Sequence, residues 1–221
     1  MEHETWSFRT FTANQDYANN RCSGYALAPV LMDMDGDRWR SLMGNDSDGW
    51  GSWIYDRLAE CQDRLLEQCG GQSASIGFVR SPTNIYNGTC MILHSAIVFR
   101  CKAWGYDVQL YYYGSDTGIF GRDILEEECT RLSGLVCKVA GYEDLERHAS
   151  SYKYLVALTR FKHWVSLKKT PEGYFLYDPA PQEFKGGMFG PDGFSSLLPV
   201  EYSRQYDRNF DGLAISISPL T

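Results

Sequence analysis

Residues 153–178 read KYLVALTRFKHWVSLKKTPEGYFLYD. Two runs rich in β-branched and aromatic residues, Lys153–Thr159 and His163–Lys169, are separated only by Arg160-Phe161-Lys162. Strand-like runs that close together predict an antiparallel hairpin. Thr170-Pro-Glu-Gly173 has the composition of a turn, and Tyr174–Asp178 follows it as a third antiparallel strand. This end of the chain therefore reads as an antiparallel sheet.

Outward from that hairpin, residues 182–210 are loop-rich, and Leu213–Ser218 (LAISIS) supplies one more strand. Upstream, the apolar stretch 90–104 predicts a helix stopped by Gly105, and Tyr106–Tyr113 predicts a strand. A charged helix near 121–132, a strand at Leu135–Val139 and a short helix at Glu143–Ala149 come next. In 53–68, Ile54, Leu58, Cys61 and Leu65 recur at helical spacing and share a face. The N-terminal region holds an aromatic segment, Trp6–Phe11, then polar residues Asn14–Arg21, then an apolar run from Tyr25 to Met32. No long linker interrupts this order. The expectation is one α+β domain over 1–221, helical over about 20–105 and sheet over about 106–221.

Composition bounds the function. The chain has 221 residues, 14% of them aromatic, which supports a packed core and excludes disorder. Its 21 basic and 28 acidic residues give a net charge of −7, so a nucleic-acid partner is not expected. No apolar run is long enough for a bilayer, and no signal peptide is legible at Met1-Glu-His-Glu, so neither a membrane nor an export signal is expected. The seven cysteines, at 22, 61, 69, 90, 101, 129 and 137, include no CxxC pair, so they read as free thiols in a reducing compartment.

The chemistry then turns on histidine and cysteine. His3 lies in the terminal tail, His148 near the end of a polar helix, and His94 inside an apolar helix, where a core role suits it. His163 opens a strand, and Asp178 ends the next one. On a tight hairpin the two stand near the same end of the sheet. A carboxylate there fixes the imidazole tautomer and leaves the other ring nitrogen for a nucleophile's proton. An incidental histidine on a surface hairpin would have the same spacing.

A nucleophilic cysteine is favoured at a helix N-terminus, where the backbone dipole lowers a thiol pKa. Two cysteines fit. Cys22 follows a polar loop and precedes an apolar run; Cys90 opens the cleanest helical stretch. Pro29 counts against a continuous helix after Cys22, because a proline inside a helix removes a hydrogen bond and clashes with an earlier carbonyl. The other five cysteines read as core residues.

Cys22-Ser-Gly-Tyr-Ala-Leu27, a later helical region and strand, then His163-Trp-Val and Asp178 together resemble the papain-like cysteine hydrolases, nearest to the C39-type peptidases and the effector glutamine deamidases. The resemblance is one of motif order over most of the chain. It implies a papain-like fold, a helical lobe packed on an antiparallel sheet. It also implies a Cys22–His163–Asp178 triad, with Gln15 as oxyanion donor; Gln15 stands a little further upstream than the family's usual spacing, and Asn14, Asn19 or Asn20 are other candidates. Gly88-Thr89 through Gly105-Tyr106 is similar to the second helix of the C39 group, which makes Cys90 a passenger. A competing resemblance, to transglutaminase-like folds, rests on Gly88-Thr-Cys90 and the Gly105 stop, and makes Cys90 the nucleophile of an acyl transferase. The third alternative is a non-catalytic module that keeps a papain-like frame.

Asp33-Met-Asp-Gly-Asp37 has the first carboxylates of a calcium loop, but Arg38 stands where glycine is needed and Gly44 where the closing glutamate belongs. Asp- and Gly-rich turns are the simpler reading. Tyr111–Tyr113 reads as packing within a strand, and no phosphate-cradling glycine loop follows a strand. The expectation is thus a cysteine hydrolase acting on a protein or peptide amide, needing no cofactor and no metal. It is cytoplasmic, or exported as an effector without a cleavable signal.

Overall fold

The computed structural model describes residues 21–44, 47–68, 92–113, 122–141, 144–149, 153–159, 163–170, 173–179, 194–195 and 210–220. Helices α1 (Cys22–Met43), α2 (Ser47–Gln68), α3 (His94–Ala103), α4 (Arg122–Arg131) and α5 (Leu145–His148) accompany seven strands. These are β1 (Tyr106–Tyr112), β2 (Cys137–Val139), β3 (Tyr154–Thr159), β4 (His163–Thr170), β5 (Gly173–Tyr177), β6 (Phe194–Ser195) and β7 (Phe210–Pro219). They form one sheet in the order β2-β1-β7-β3-β4-β5-β6. All neighbours are antiparallel except β1 and β2. This is an α+β architecture, with helices packed on a mainly antiparallel sheet.

The hairpin read from residues 153–178 is present. Thr159 pairs with His163, and the register runs on to Tyr154 opposite Lys168. β5 begins at Gly173, paired with Thr170, one residue earlier than the sequence suggests. The stop after α3 is also as read: Gly105 has φ +89°, a left-handed conformation that glycine adopts without a Cβ penalty.

Two helices differ from expectation. Pro29 lies inside α1 and does not end it; the helix runs for 22 residues, with non-helical angles only at Asp35. Every residue from Cys22 to Met32 is buried, so the apolar contact of this half-helix outweighs the hydrogen bond that Pro29 cannot donate. The Asp33–Asp37 stretch accordingly lies within α1 and bends at Asp35, where a loop was the simpler reading.

Helix α2 starts at Ser47, several residues before the periodic run becomes apparent. The extra turn serves a close crossing with α1. A Cβ added to Gly24 would lie 2.0 Å from the Gly51 carbonyl oxygen, and one added to Gly51 would lie 2.3 Å from the Tyr25 ring. The two helices touch backbone to backbone here, which only glycine permits. Trp50 is buried on the same turn, and its indole N–H donates to the Gly44 carbonyl at 3.0 Å.

α1 also lies along β4. Asp33, near the middle of the helix, accepts hydrogen bonds from Lys168 Nζ and the Tyr154 hydroxyl. From residue 22 to 33 a helix rises about 16 Å at roughly 1.5 Å per residue. From residue 163 to 168 a strand advances about 16 Å at roughly 3.3 Å per residue. Fastening Asp33 to Lys168 therefore sets the first residue of α1 level with the first residue of β4. Those residues are Cys22 and His163.

Candidate active site

Asp178 is fully buried, one residue beyond the end of β5. Ser166 pairs with Tyr177, so continuing the register puts Asp178 opposite Val165. Side chains two apart on a strand share a face, and His163 is therefore the diagonal neighbour of Asp178. The contact is made: His163 Nε2 lies 2.6 Å from Asp178 Oδ1.

With Nε2 committed to the carboxylate, Nδ1 is left for the second partner of the ring, the Cys22 side chain, which is in hydrogen-bond contact with the imidazole. Burial alone would push the imidazole pKa down. The charge and hydrogen bond of Asp178, together with Cys22, outweigh it and hold His163 raised to about 9. At neutral pH the ring is an imidazolium whose two nitrogens face a carboxylate and a thiol.

Cys22 is the first residue of α1 and is 6% exposed. Arg21 precedes it, and the Arg21 carbonyl accepts from the N–H groups of Gly24 and Tyr25 in the first turn. One turn further, the Tyr25 hydroxyl is 3.3 Å from Ser52 Oγ on α2. Trp164 follows His163 and points into the core, where its indole N–H donates to the Ile92 carbonyl at 3.0 Å. A thiol, an imidazolium and a carboxylate in series can carry out nucleophilic chemistry at a carbonyl, with the histidine shuttling the proton.

Cys22, His163 and Asp178, singled out in the sequence, are thus brought together. Gln15, its substitutes Asn14, Asn19 and Asn20, Cys69 and Cys90 lie outside the described residues, as do His3, the aromatic segment 6–11 and most of the loop-rich stretch 182–210. The helix assigned to Cys90 is nevertheless corrected. α3 begins at His94, and Leu93 before it is extended, with φ −79° and ψ 156°. The Leu93 N–H goes to Gln62 Oε1 at 2.7 Å, and the Ile92 carbonyl to Trp164. Tertiary partners satisfy this backbone in place of a further helical turn, and α3 starts later than the expected residue 90.

The remaining described cysteines are unlike Cys22. Cys101 is fully buried, and burial, then the neighbouring Cys61, push its thiol far up. Cys137 is pushed up to about 12 by burial, then by Cys129 and Glu126. His94 is buried in α3 and lowered to about 4 by that burial, so it is neutral at pH 7. No group of three or more His, Cys, Asp or Glu suited to a metal occurs among the described residues. Nor is any helix among them long and apolar enough to cross a membrane.

No known family's sequence profile matches the chain, and no curated protein matches it. Solved structures do. The fold is similar to those of double-glycine peptidase domains. One is a double-glycine motif protease from an AMS/PCAT transporter, solved with its leader peptide, at 13% identity and TM-score 0.40 over 98% of this chain and 96% of that one. Another is the peptidase domain of Streptococcus ComA, a bifunctional ABC transporter of a quorum-sensing pathway, at 14% identity and TM-score 0.38 over 95% and 99%. The Pseudomonas avirulence protein AvrPphB is similar at 13% identity and TM-score 0.37 over 96% and 98%. At such identities and scores, the chemistry of this chain rests on its own residues.

Proposed function

We propose that this chain is a papain-like cysteine hydrolase that cleaves an amide of a protein or peptide. Cys22 is the nucleophile, His163 the general base and then acid, and Asp178 the residue that orients the imidazole. What carries the reading is the contact order Cys22, His163, Asp178, with the 2.6 Å Nε2–Oδ1 bond leaving Nδ1 for the thiol.

In the first step the proton of Cys22 rests on His163, and the thiolate Sγ forms a bond to the carbonyl carbon as the oxygen becomes an oxyanion. His163 Nδ1 passes its proton to the leaving nitrogen as the C–N bond breaks, which leaves a thioester on Cys22. In the second step a water gives one proton to Nδ1 and its hydroxyl to the thioester carbon, and the C–S bond breaks to release the acid product and restore the Cys22 thiolate beside the imidazolium. Asp178, fully buried, keeps the ring in one orientation through both steps. The backbone N–H of Cys22 and the amide of Gln15 are the oxyanion donors of this proposal.

The test is alkylation of the native protein with limiting iodoacetamide near pH 6, with the modified residue mapped by mass spectrometry. Fast labelling at Cys22 that slows in His163→Ala supports the proposal. Labelling confined to Cys90 moves the nucleophile, and uniformly slow labelling indifferent to His163→Ala sinks the enzyme. Incubation with candidate proteins then separates the two outcomes of the same thioester. A protease gives two fragments, whereas a glutamine deamidase leaves the chain intact and about 1 Da heavier.

A further inference from the structure

A second constellation lies at the β2–β1–β7 side of the sheet, apart from Cys22 and His163. The Tyr111 ring stacks on the His148 imidazole, with centroids 3.8 Å apart and planes 15° from parallel. The Tyr113 hydroxyl lies 2.7 Å from His148 Nδ1. The backbone behind the ring is fastened as well, since Ser216 Oγ on β7 donates to the His148 carbonyl at 3.4 Å. Sheet register then adds a cation, because Lys138 on β2 is the direct partner of Tyr111. Two more come from other elements: Arg147, next to His148 on α5, and Lys153, which leads into β3. All three are exposed.

One protonation pattern suits this pair. Tyr113 is fully buried, and burial, then Tyr111, push its hydroxyl pKa far up, so it stays protonated and can donate to Nδ1. Burial, then Arg147, Lys153 and Lys138, lower His148, so it is neutral at pH 7. A neutral imidazole that accepts at Nδ1 carries its proton on Nε2. Nε2 has no hydrogen-bond partner among the described residues, and its N–H is a fixed donor among cations. Of those cations, Arg147 is already paired with Asp144; Lys138 and Lys153 make no ion pair with a described carboxylate, although Asp107 acts on Tyr111.

We propose that this face binds a soluble phosphate monoester, whose oxygens accept from His148 Nε2–H and from the ammonium groups of Lys138 and Lys153, with Tyr111 as the wall behind the imidazole. A tetrahedral dianion suits one neutral donor and two cations, since it offers several acceptor oxygens and balances both charges. The chain as a whole carries −7, so gathering cations from three elements onto one aromatic pair runs against its average composition. The site is independent of the hydrolase proposal and shares no residue with it.

Calorimetric titration of the full chain with inorganic phosphate, and separately with glycerol 3-phosphate, tests this at pH 7.5 and low salt. The expected result is saturable binding of both, with a dissociation constant on the order of 1 mM or below. Binding weakens about tenfold in the double variant Lys138→Ala, Lys153→Ala, whose exposed positions leave folding intact. His148→Phe keeps a stacked ring but removes the donor, and it weakens binding without the two lysines being touched. Absent binding of both probes, or binding unchanged in the double variant, overturns the proposal. So does association only with vesicles of phosphatidylcholine and phosphatidic acid, which would make this a membrane patch.

Discussion

His163 is held by opposed influences. Burial disfavours its charge, and Asp178 and Cys22 restore it, so the imidazolium persists to about pH 9. The leaving nitrogen needs the imidazolium proton, and hydrolysis is therefore expected to fall as pH rises through that value. Asp178→Asn removes the largest influence that raises the ring while its burial remains. The alkaline limb of a kcat/KM profile should then move to lower pH, and an unmoved limb would show that Asp178 does not govern the ring. His163→Ala is expected to lower kcat/KM by about 10²–10⁴-fold, the usual contribution of a positioned acid–base group. At this scale the sequence was readable. Asp178 stands fifteen positions after His163 with a turn between, which already placed the two on neighbouring strands near one end of the sheet. The choice of thiol was not readable, because Cys22 and Cys90 have similar local surroundings and only α1 is seen to bring its cysteine to His163.

At the scale of elements, two contacts set the height and tilt of α1. The first is the glycine crossing with α2. Gly24→Ala puts a Cβ 2.0 Å from a backbone carbonyl that cannot swing aside, whereas Gly51→Ala meets the Tyr25 ring at 2.3 Å. Each is expected to cost about 1–3 kcal/mol by overpacking, read as a lower denaturant midpoint, with Gly24→Ala the worse because backbone yields less than a side chain. The second is Asp33 on Lys168 and Tyr154. Lys168→Met releases the middle of α1 at Asp33 while keeping the apolar stem. Slower alkylation of Cys22 in that variant, with the far-ultraviolet dichroism unchanged, would show that the ion pair aligns the thiol; an unaltered rate would confine it to stability. Neither contact is visible in local sequence. Gly51 looks like a loop residue until α1 lies against it, and Pro29 looks like a helix breaker until the helix is buried.

For the whole molecule, the same imidazole links stability to pH. Its folded pKa is raised from 6.5 to about 9, so its contribution is complete below pH 6.5 and is lost as pH rises through 9. That contribution is on the order of 3 kcal/mol. Urea denaturation at pH 6 and pH 10 should show the loss, and His163→Ala should flatten the difference. The sequence by itself determined the three consecutive strands β3, β4 and β5 and their pairing, but not the place of β7 between β1 and β3. Alternating and β-branched runs around short turns leave few pairings, and a three-residue link between Thr159 and His163 leaves one. It also put a histidine and an aspartate on neighbouring strands near one end of the sheet, since strand register is a local property. Only the tertiary structure decided where α1 and α2 begin and end, and that Cys22 stands level with His163. Those outcomes depend on burial against partners far along the chain, at Gly51, Tyr154 and Lys168, and no window of neighbouring residues contains that information.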